Sequence, residues 1–341
     1  MLLGFFWVLL AAIMLGFYAF PSKYIKGYEV ANLWGSFWLF AMFIVPVLAS
    51  FILVNGLGDT YAQVPPSVFV SVFFLSLLWG IGNLLWGISI SKIGMALGFS
   101  LLIGVATLVG SMLPFFMGNI EQLQTPGGKL IVLGILIIMG GIILNGKAGL
   151  LREANESSTS GGGSSKNMKT GIFMCIVGGI CAAGFNLSYH VADNIGHIGA
   201  ISQEQFGNAP WIARLAVMLP SFIGSGVVTV LYFVYQLSKG KSWNKFASIA
   251  STKNILLIAI MAIVYVASLI IYGLGAYNLG PLGTSVGFAV FQTGCIMVAN
   301  LLGVFSGEWT NAGGKSKSFL YSGLLAMTGG IVVIAYGNFI S

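Results

Sequence analysis

The sequence predicts an all-α integral membrane protein of ten transmembrane helices, arranged as two inverted five-helix repeats. Three observations predict it. Ten apolar stretches, each long enough to cross a bilayer, fill most of the 341 residues. Hydrophobic residues make up 57% of the chain and charged residues 7%, with a mean hydropathy of +0.96, which leaves a water-soluble fold too few charges to cover its surface. The charges that exist gather in the loops, on alternate sides of the spans.

A spanning helix needs roughly 20 mostly apolar residues, and the spans are read at 2–20, 32–54, 67–90, 94–117, 129–146, 170–190, 211–237, 254–275, 281–305 and 317–338. The first has no basic residue before it and Lys23 and Lys26 after it, the reverse of a cleavable signal's charge order, so it is expected to remain as a helix. Pro46, Pro114 and Pro220 predict kinks or starts in the second, fourth and seventh spans, and Pro281 predicts the start of the ninth. The 48 glycines lie in continuous apolar runs, which fits closely packed helices and not the alternating pattern of a β-barrel. Gly80, Gly82, Gly98, Gly104 and Gly110 are expected to let the third and fourth spans approach their neighbours. Cys175, Cys181 and Cys295 all fall inside spans, are odd in number and lack metal-ligand spacing, so neither a disulfide framework nor a zinc site is expected.

A net charge of +7 suggests nucleic acid until its distribution is read. Thirteen of the fifteen Lys and Arg residues fall in loops on one side of the spans, with Lys129 and Arg214 on the other. The positive-inside rule makes the first side cytoplasmic and places both termini outside, so the partner of these charges is the bilayer, with no nucleic acid. The one long polar stretch, Arg152 to Lys169, has a flexible-linker composition with three consecutive glycines. It divides the chain into a first repeat, 1–150, a cytoplasmic linker, 151–169, and a second repeat, 170–341. Five spans in each half invert the second relative to the first, a layout typical of secondary transporters with a substrate site between the halves. Gly87 to Gly94 and Gly273 to Gly280 join the third and fourth spans of each half with the same glycine spacing, a trace of duplication.

The motif Leu78-Trp79-Gly80-Ile81-Gly82-Asn83, followed by Gly87, Lys92, Gly94, Leu97 and Gly98, resembles the third and fourth helices of the bacterial L-rhamnose–proton symporter family, within the drug/metabolite transporter superfamily. Lys23 and Lys26, Asn300-Leu-Leu-Gly303 and Glu308-Trp309-Thr-Asn311-Ala-Gly313 extend the resemblance through both halves. It implies a multi-pass carrier in the bacterial cytoplasmic membrane that moves a small neutral sugar by alternating access. Protons are the implied coupling ion, and no other cofactor is implied. One departure stands out. The family carries a histidine, and in some members an acidic residue, within the ninth helix, whereas here Ser285 to Thr293 contains neither. That departure keeps open a second reading, an exporter or uncoupled facilitator of another small metabolite.

A sugar needs hydrogen-bonding groups at membrane depth and aromatic faces for its C–H surfaces. Trp79, Asn83 and Trp86 share one helical face, and an amide between two indoles either binds a sugar or bonds a neighbouring helix while the indoles pack. Asn186, Gln292 and Asn300 are expected to face the bundle interior, because an amide in lipid is costly. Gln292 and Thr293, near mid-depth in the ninth span, are the first choice for substrate contact; Asn300, among small residues, reads as structural. Tyr265, Ser268 and Tyr272 also share a face and could present hydroxyls, although Tyr272 and Tyr277 fit an interfacial belt as well.

For proton coupling the candidates are His190 and Asp193. With His197 they are spaced i, i+3, i+7 and would share a face if the sixth helix continued that far; loop polarity and an incomplete metal site are the alternatives. Arg214 is expected either to pair with Asp193 or Glu204 as an outer gate or to snorkel to the surface. Glu29, Glu121 and Glu308 sit at loop edges, where helix N-termini or lysines would hold them. No phosphate-binding loop, nucleophile elbow or H-E-x-x-H motif occurs, so an enzyme is not expected.

Overall fold

The computed structural model describes residues 1–93, 95–117, 120–157, 165–247, 251–307 and 309–341, with the side chains at 90, 91, 95, 96, 99, 153, 155–157 and 165–167 also left outside the description. Every regular element among the described residues is a helix. In chain order they are α1 (Leu2–Phe17), α2 (Val30–Leu39), α3 (Val45–Leu53), α4 (Leu57–Ala62), α5 (Pro66–Ile93), α6 (Met95–Phe116), α7 (Pro126–Ser157), α8 (Ser165–Ala182), α9 (Gly184–His190), α10 (Ile198–Glu204), α11 (Pro210–Lys239), α12 (Ser251–Asn278), α13 (Gly283–Phe305) and α14 (Gly314–Phe339). Among the described residues nine helical stretches are long and apolar enough to cross a membrane. The fourth expected span corresponds to α6, whose described apolar stretch, Ser100–Phe116, is shorter.

Two differences from the sequence reading have local causes. The second and sixth spans are each interrupted by a π turn, at Phe40–Ile44 and Val191–Ile195. In the first, Val45 N–H bonds the Phe40 carbonyl five residues back, immediately before Pro46, which has no N–H to continue an α-helical ladder. The polar stretch expected as a linker from 151 to 169 is helical at both described ends, since α7 runs to Ser157 and α8 starts at Ser165; residues 158–164 lie outside the described residues. Gly94, Gly118 and Glu308 lie outside them too.

The chain divides into two compact units. The first comprises Met1–Ala12, Gly82–Ala183 and Gly275–Ser341. Its centre is the antiparallel pair α7 and α14, in which glycines recur every seventh residue on both helices. Gly127, Gly134 and Gly141 face Gly337, Gly330 and Gly323 in turn. A methyl group placed on Gly134 would sit 2.8 Å from the Gly330 carbonyl oxygen, and one on Gly330 would sit 2.8 Å from that of Gly134; Gly141 and Gly323 repeat the relation at 2.8 Å each way. Ser316 continues the seam, its hydroxyl donating to the Ala148 carbonyl at 2.6 Å. Between the glycines Ile131, Ile138, Met327 and Ile334 are fully buried. A seven-residue period keeps one face of a helix against a neighbour, and small residues on that face bring the backbones together, which is how helices adhere where lipid removes the hydrophobic drive.

The second unit comprises Ile13–Ile81 and Gly184–Leu274. Two asparagines fix the ends of its α2–α3 segment. Asn254 donates to the Lys26 carbonyl at 2.8 Å and accepts from the Lys26 N–H at 3.4 Å. At the other end Asn208 donates to the Asn55 carbonyl at 2.8 Å and accepts from the Asn55 N–H at 3.0 Å. Glu29 caps α2 and lies 3.6 Å from Lys245, as its loop-edge position suggested. Pro220 within α11 cannot bond the carbonyl four residues back, Ala216, and the Tyr61 hydroxyl donates to that oxygen at 2.7 Å. Burial pushes the Tyr61 phenol above its usual range, so it stays a donor. Gly80 meets the Ser225 carbonyl of α11, 2.7 Å from where a methyl would lie.

Neighbouring glycines in α7 separate packing from helix propensity. Gly140 faces open space, while a methyl on Gly141 would lie 2.6 Å from Met327 Cγ and 2.8 Å from the Gly323 carbonyl oxygen. Gly141→Ala should therefore lower thermal stability in detergent by about 1–3 kcal/mol, whereas Gly140→Ala should stay within about 1 kcal/mol of the parent. Equal melting temperatures for the two variants would contradict the seam.

Candidate functional site

The polar groups gathered in the second unit come from α9, the π turn that follows it, α11 and α12. Arg214 on α11 is fully buried, which is costly for a cation unless it is paired and hydrogen-bonded. Its Nη1 bonds Asp193 Oδ2, and also donates to the Tyr189 hydroxyl at 3.2 Å; its Nε donates to the Pro210 carbonyl at 3.3 Å. The Asp193 side chain retains 14% exposure. Of the two arrangements open to Arg214, the structure has the ion pair, and with Asp193 instead of the exposed Glu204. Gly199 on α10 is a glycine for this reason, since a side chain there would fall on the Arg214 guanidinium and on Asp193 Oδ1.

One helical turn before Asp193, the Tyr189 hydroxyl approaches Asp193 Oδ2 at 3.1 Å and the Gly273 carbonyl of α12 at 2.9 Å. One turn earlier again, Asn186 accepts a hydrogen bond from Tyr272 of α12, and both residues are fully buried. Aromatic rings line the same run. Phe185 lies 4.8 Å from Trp79 and 5.7 Å from Tyr272, and Tyr189 lies 6.0 Å from Tyr272, between ring centroids. Trp79 reaches α9 because Gly184 starts that helix against the α5 backbone, with a methyl position 3.1 Å from the Trp79 nitrogen. Trp79, Asn186, Tyr189, Tyr272, Asp193 and Arg214 thus form one continuous strip of polar and aromatic side chains.

Other residues singled out from the sequence lie elsewhere. Tyr265 belongs to a second aromatic cluster of the same unit, 5.2 Å from Tyr18, 5.4 Å from Phe37 and 5.8 Å from Trp38. Ser268 donates to the Tyr265 carbonyl at 2.7 Å, so its proton is used within α12. Tyr272, for which the sequence leaves both an inward hydroxyl and an interfacial belt open, is fully buried, with Asn186 as the partner of its hydroxyl. Tyr277 is exposed, as a belt residue would be.

His190, Asp193 and His197 do not share a face. The π turn after His190 widens the helix to i→i+5 bonding, and His197 has left the helix in a left-handed conformation, φ 51°. His190 is buried and His197 exposed. Among the described residues no three His, Cys, Asp or Glu side chains converge as metal ligands.

In the first unit, Asn83 Nδ2 is buried with no hydrogen-bond partner among the described residues, while Trp86 packs against the apolar group Ile93, Leu102 and Cys175. Gly82, beside Asn83, meets α8 at the Gly178 carbonyl oxygen and Ala182 nitrogen, 2.8 and 2.6 Å from a methyl position. Gln292 on α13 is half-buried. Thr293 is buried and donates to the Ala289 carbonyl at 2.6 Å, which uses its only proton inside the helix. Sequence reasoning left out Tyr189, whose hydroxyl meets Asp193, Arg214 and the Gly273 carbonyl; its position one turn before Asp193 on a helix was the available signal. It also left out Ser221 and Ser225, one turn apart on α11, whose buried hydroxyls have no partner among the described residues.

Apolar helices of membrane-crossing length, with charge and amide groups paired at buried positions, define a multi-pass membrane protein. Residues 1–340 match the family model described as L-rhamnose-proton symport protein, and the chain belongs to that family of sugar transporters. It is 26% identical over 336 residues to the L-rhamnose-proton symporter of Citrobacter koseri, covering 95% of this chain and 94% of the relative. It is 25% identical over 349 residues to the proteins of that name from Shigella boydii and Escherichia coli, covering 98% of each chain.

The Arg214–Asp193 pair yields a stability prediction. Arg214→Gln leaves Asp193 without its cation and should lower stability by about 3–5 kcal/mol. Asp193→Asn/Arg214→Gln removes both charges and should recover most of that loss. A double variant no more heat-resistant in detergent than Arg214→Gln would show that the pairing contributes little.

Proposed function

We propose that the protein takes up a small neutral sugar of the L-rhamnose type, coupled to protons, by alternating access in a bacterial cytoplasmic membrane. The family match over residues 1–340 carries this reading. Ten spans form two inverted five-helix repeats, 1–150 and 170–341, joined by the cytoplasmic segment 151–169, with both termini outside. The α7–α14 seam supports the duplication. These are the fifth helices of the two halves, and they carry the same seven-residue glycine period and pack antiparallel, as two copies related by an axis in the membrane plane would.

The sugar contacts assigned are Trp79, Asn186 and Tyr265 in one unit, and Asn83, Trp86, Gln292 and Thr293 in the other. The unpartnered Nδ2 of Asn83 supports a ligand contact there; for Thr293, whose proton is committed to its own helix, the hydroxyl oxygen is what a sugar would meet. Asp193, with His190 beside it, is the proton site. An acid within a membrane-spanning segment is functional by default, and Asp193, near the end of the apolar stretch Met168–Ile195, combines a charged partner with 14% side-chain exposure. Protonating it neutralises one half of the pair with Arg214, so the proton and the guanidinium compete for one carboxylate. The absence of an acidic, basic or histidine side chain from α13 supports the second reading, an uncoupled facilitator or exporter of another metabolite.

Reconstituted protein should exchange labelled L-rhamnose in counterflow, and an inward proton gradient should drive its accumulation until a protonophore is added. Folded protein that exchanges no sugar would overturn the substrate, and exchange that a proton gradient does not drive to accumulation would favour the facilitator. Asp193→Asn should lose accumulation and keep counterflow. The double variant with Arg214→Gln, run beside it, guards against misfolding from an unpaired arginine. Gln292→Ala should reduce uptake at least tenfold with little change in melting temperature; normal uptake would remove Gln292 from the site.

A further inference from the structure

The Tyr189 hydroxyl has one proton and two acceptors within reach. Asp193 Oδ2, in the π turn after α9, is 3.1 Å away, and the Gly273 carbonyl oxygen, on α12, is 2.9 Å away. Arg214 Nη1 donates to the same hydroxyl at 3.2 Å, so the tyrosine oxygen is already an acceptor and its proton is free to go to either oxygen. The ring is held in this position. Tyr189 is buried and lies 6.0 Å from the Tyr272 ring. Gly273 leaves the space the ring occupies, since a methyl there would lie 3.1 Å from Tyr189 Cε2 and 2.8 Å from Met218 Cε.

Which acceptor wins depends on the charge of Asp193. An ionised carboxylate accepts the tyrosine's hydrogen bond, because a charge-assisted hydrogen bond is roughly twice as strong as a neutral one. A protonated carboxyl has become a donor itself, and the tyrosine then donates to the Gly273 carbonyl, whose second lone pair is available beside the helical bond. We propose that Tyr189 is a positioning residue of proton-coupled transport, passing the protonation state of Asp193 to α12 by turning its O–H between Asp193 and the Gly273 carbonyl.

The proposal rests on the reading of Asp193 as the proton site. The other groups facing Asp193 are accounted for. Arg214 comes from α11, and Tyr272, from α12, faces Tyr189 with its own hydroxyl given to Asn186. His190 is buried on the same helix; from α10 and the residue before it, Glu204 and His197 are exposed. The one bond formed is the O–H bond of the protonated Asp193 carboxyl. One proton binds the carboxylate, and the tyrosine O–H rotates from one oxygen to the other.

The test uses liposomes holding a pH-sensitive dye, with L-rhamnose as the probe, and measures counterflow and sugar-evoked proton uptake on the same preparation. Tyr189→Phe keeps the ring and removes the switch. Counterflow should stay within about threefold of the parent while evoked proton uptake falls at least tenfold. Gly273→Ala, which displaces the ring without touching either charge, should show the same split and serves if Tyr189→Phe does not fold. A residue that merely packs would lower both activities together, and that parallel loss, or an unchanged ratio of protons to sugar, overturns the proposal. Loss of coupling in Asp193→Asn with coupling intact in Tyr189→Phe would overturn the role of the tyrosine alone. A parent protein with no sugar-evoked proton uptake would overturn the coupling reading and this inference with it.

Discussion

A polar group buried in a bundle surrounded by lipid has no water to bond, so it must find its partner inside the chain. That constraint accounts for most of the specific features here. Pro220 strands the Ala216 carbonyl in α11, and a tyrosine from α4, far away in sequence, supplies the missing donor. Arg214 is fully buried where Asp193 and Tyr189 accept from its Nη1 and the Pro210 carbonyl accepts from its Nε. The ends of the α2–α3 segment, where helix termini leave backbone groups unpaired, are met by Asn254 and Asn208, each giving and taking one hydrogen bond with a single backbone residue.

The same constraint separates rigid elements from responsive ones. The α7–α14 seam is a set of backbone-to-backbone contacts between glycines, with nothing in it that titrates and little that could rearrange without parting the helices. The strip from Trp79 to Arg214 is different. It holds an ion pair between the π turn and α11, an amide–phenol bond between α9 and α12, and a hydroxyl with one acceptor in its own helical run and another on α12. A carrier needs both kinds of element: a body that keeps its shape, and a set of bonds with two nearly equal arrangements.

Much of this was legible in advance. Nine of the apolar stretches correspond to helices of membrane-crossing length among the described residues and the fourth to a shorter one, and the family motif led to the family. The i, i+4 relation of Tyr189 and Asp193, the proline in α11 and the seven-residue glycine period were all written in the chain, though the last went unread because 48 glycines obscure any single spacing. The π turn after His190 was not legible. It removes His197 from the face that simple helical counting gave it, and no pattern of hydrophobicity reports a change from i→i+4 to i→i+5 bonding.

Hydropathy is a sum over about 20 neighbouring residues, and a sum of that kind survives ignorance of the fold. The sequence by itself therefore determined the solvent and the apolar helices that meet it. Partnership is a choice among residues distant in sequence. That Arg214 pairs with Asp193 and not Glu204, that Tyr272 turns inward to Asn186, and that Thr293 spends its proton on its own helix are decisions of tertiary structure. Each depends on which groups lie within about 3 Å once the helices have packed, a distance that no linear pattern encodes.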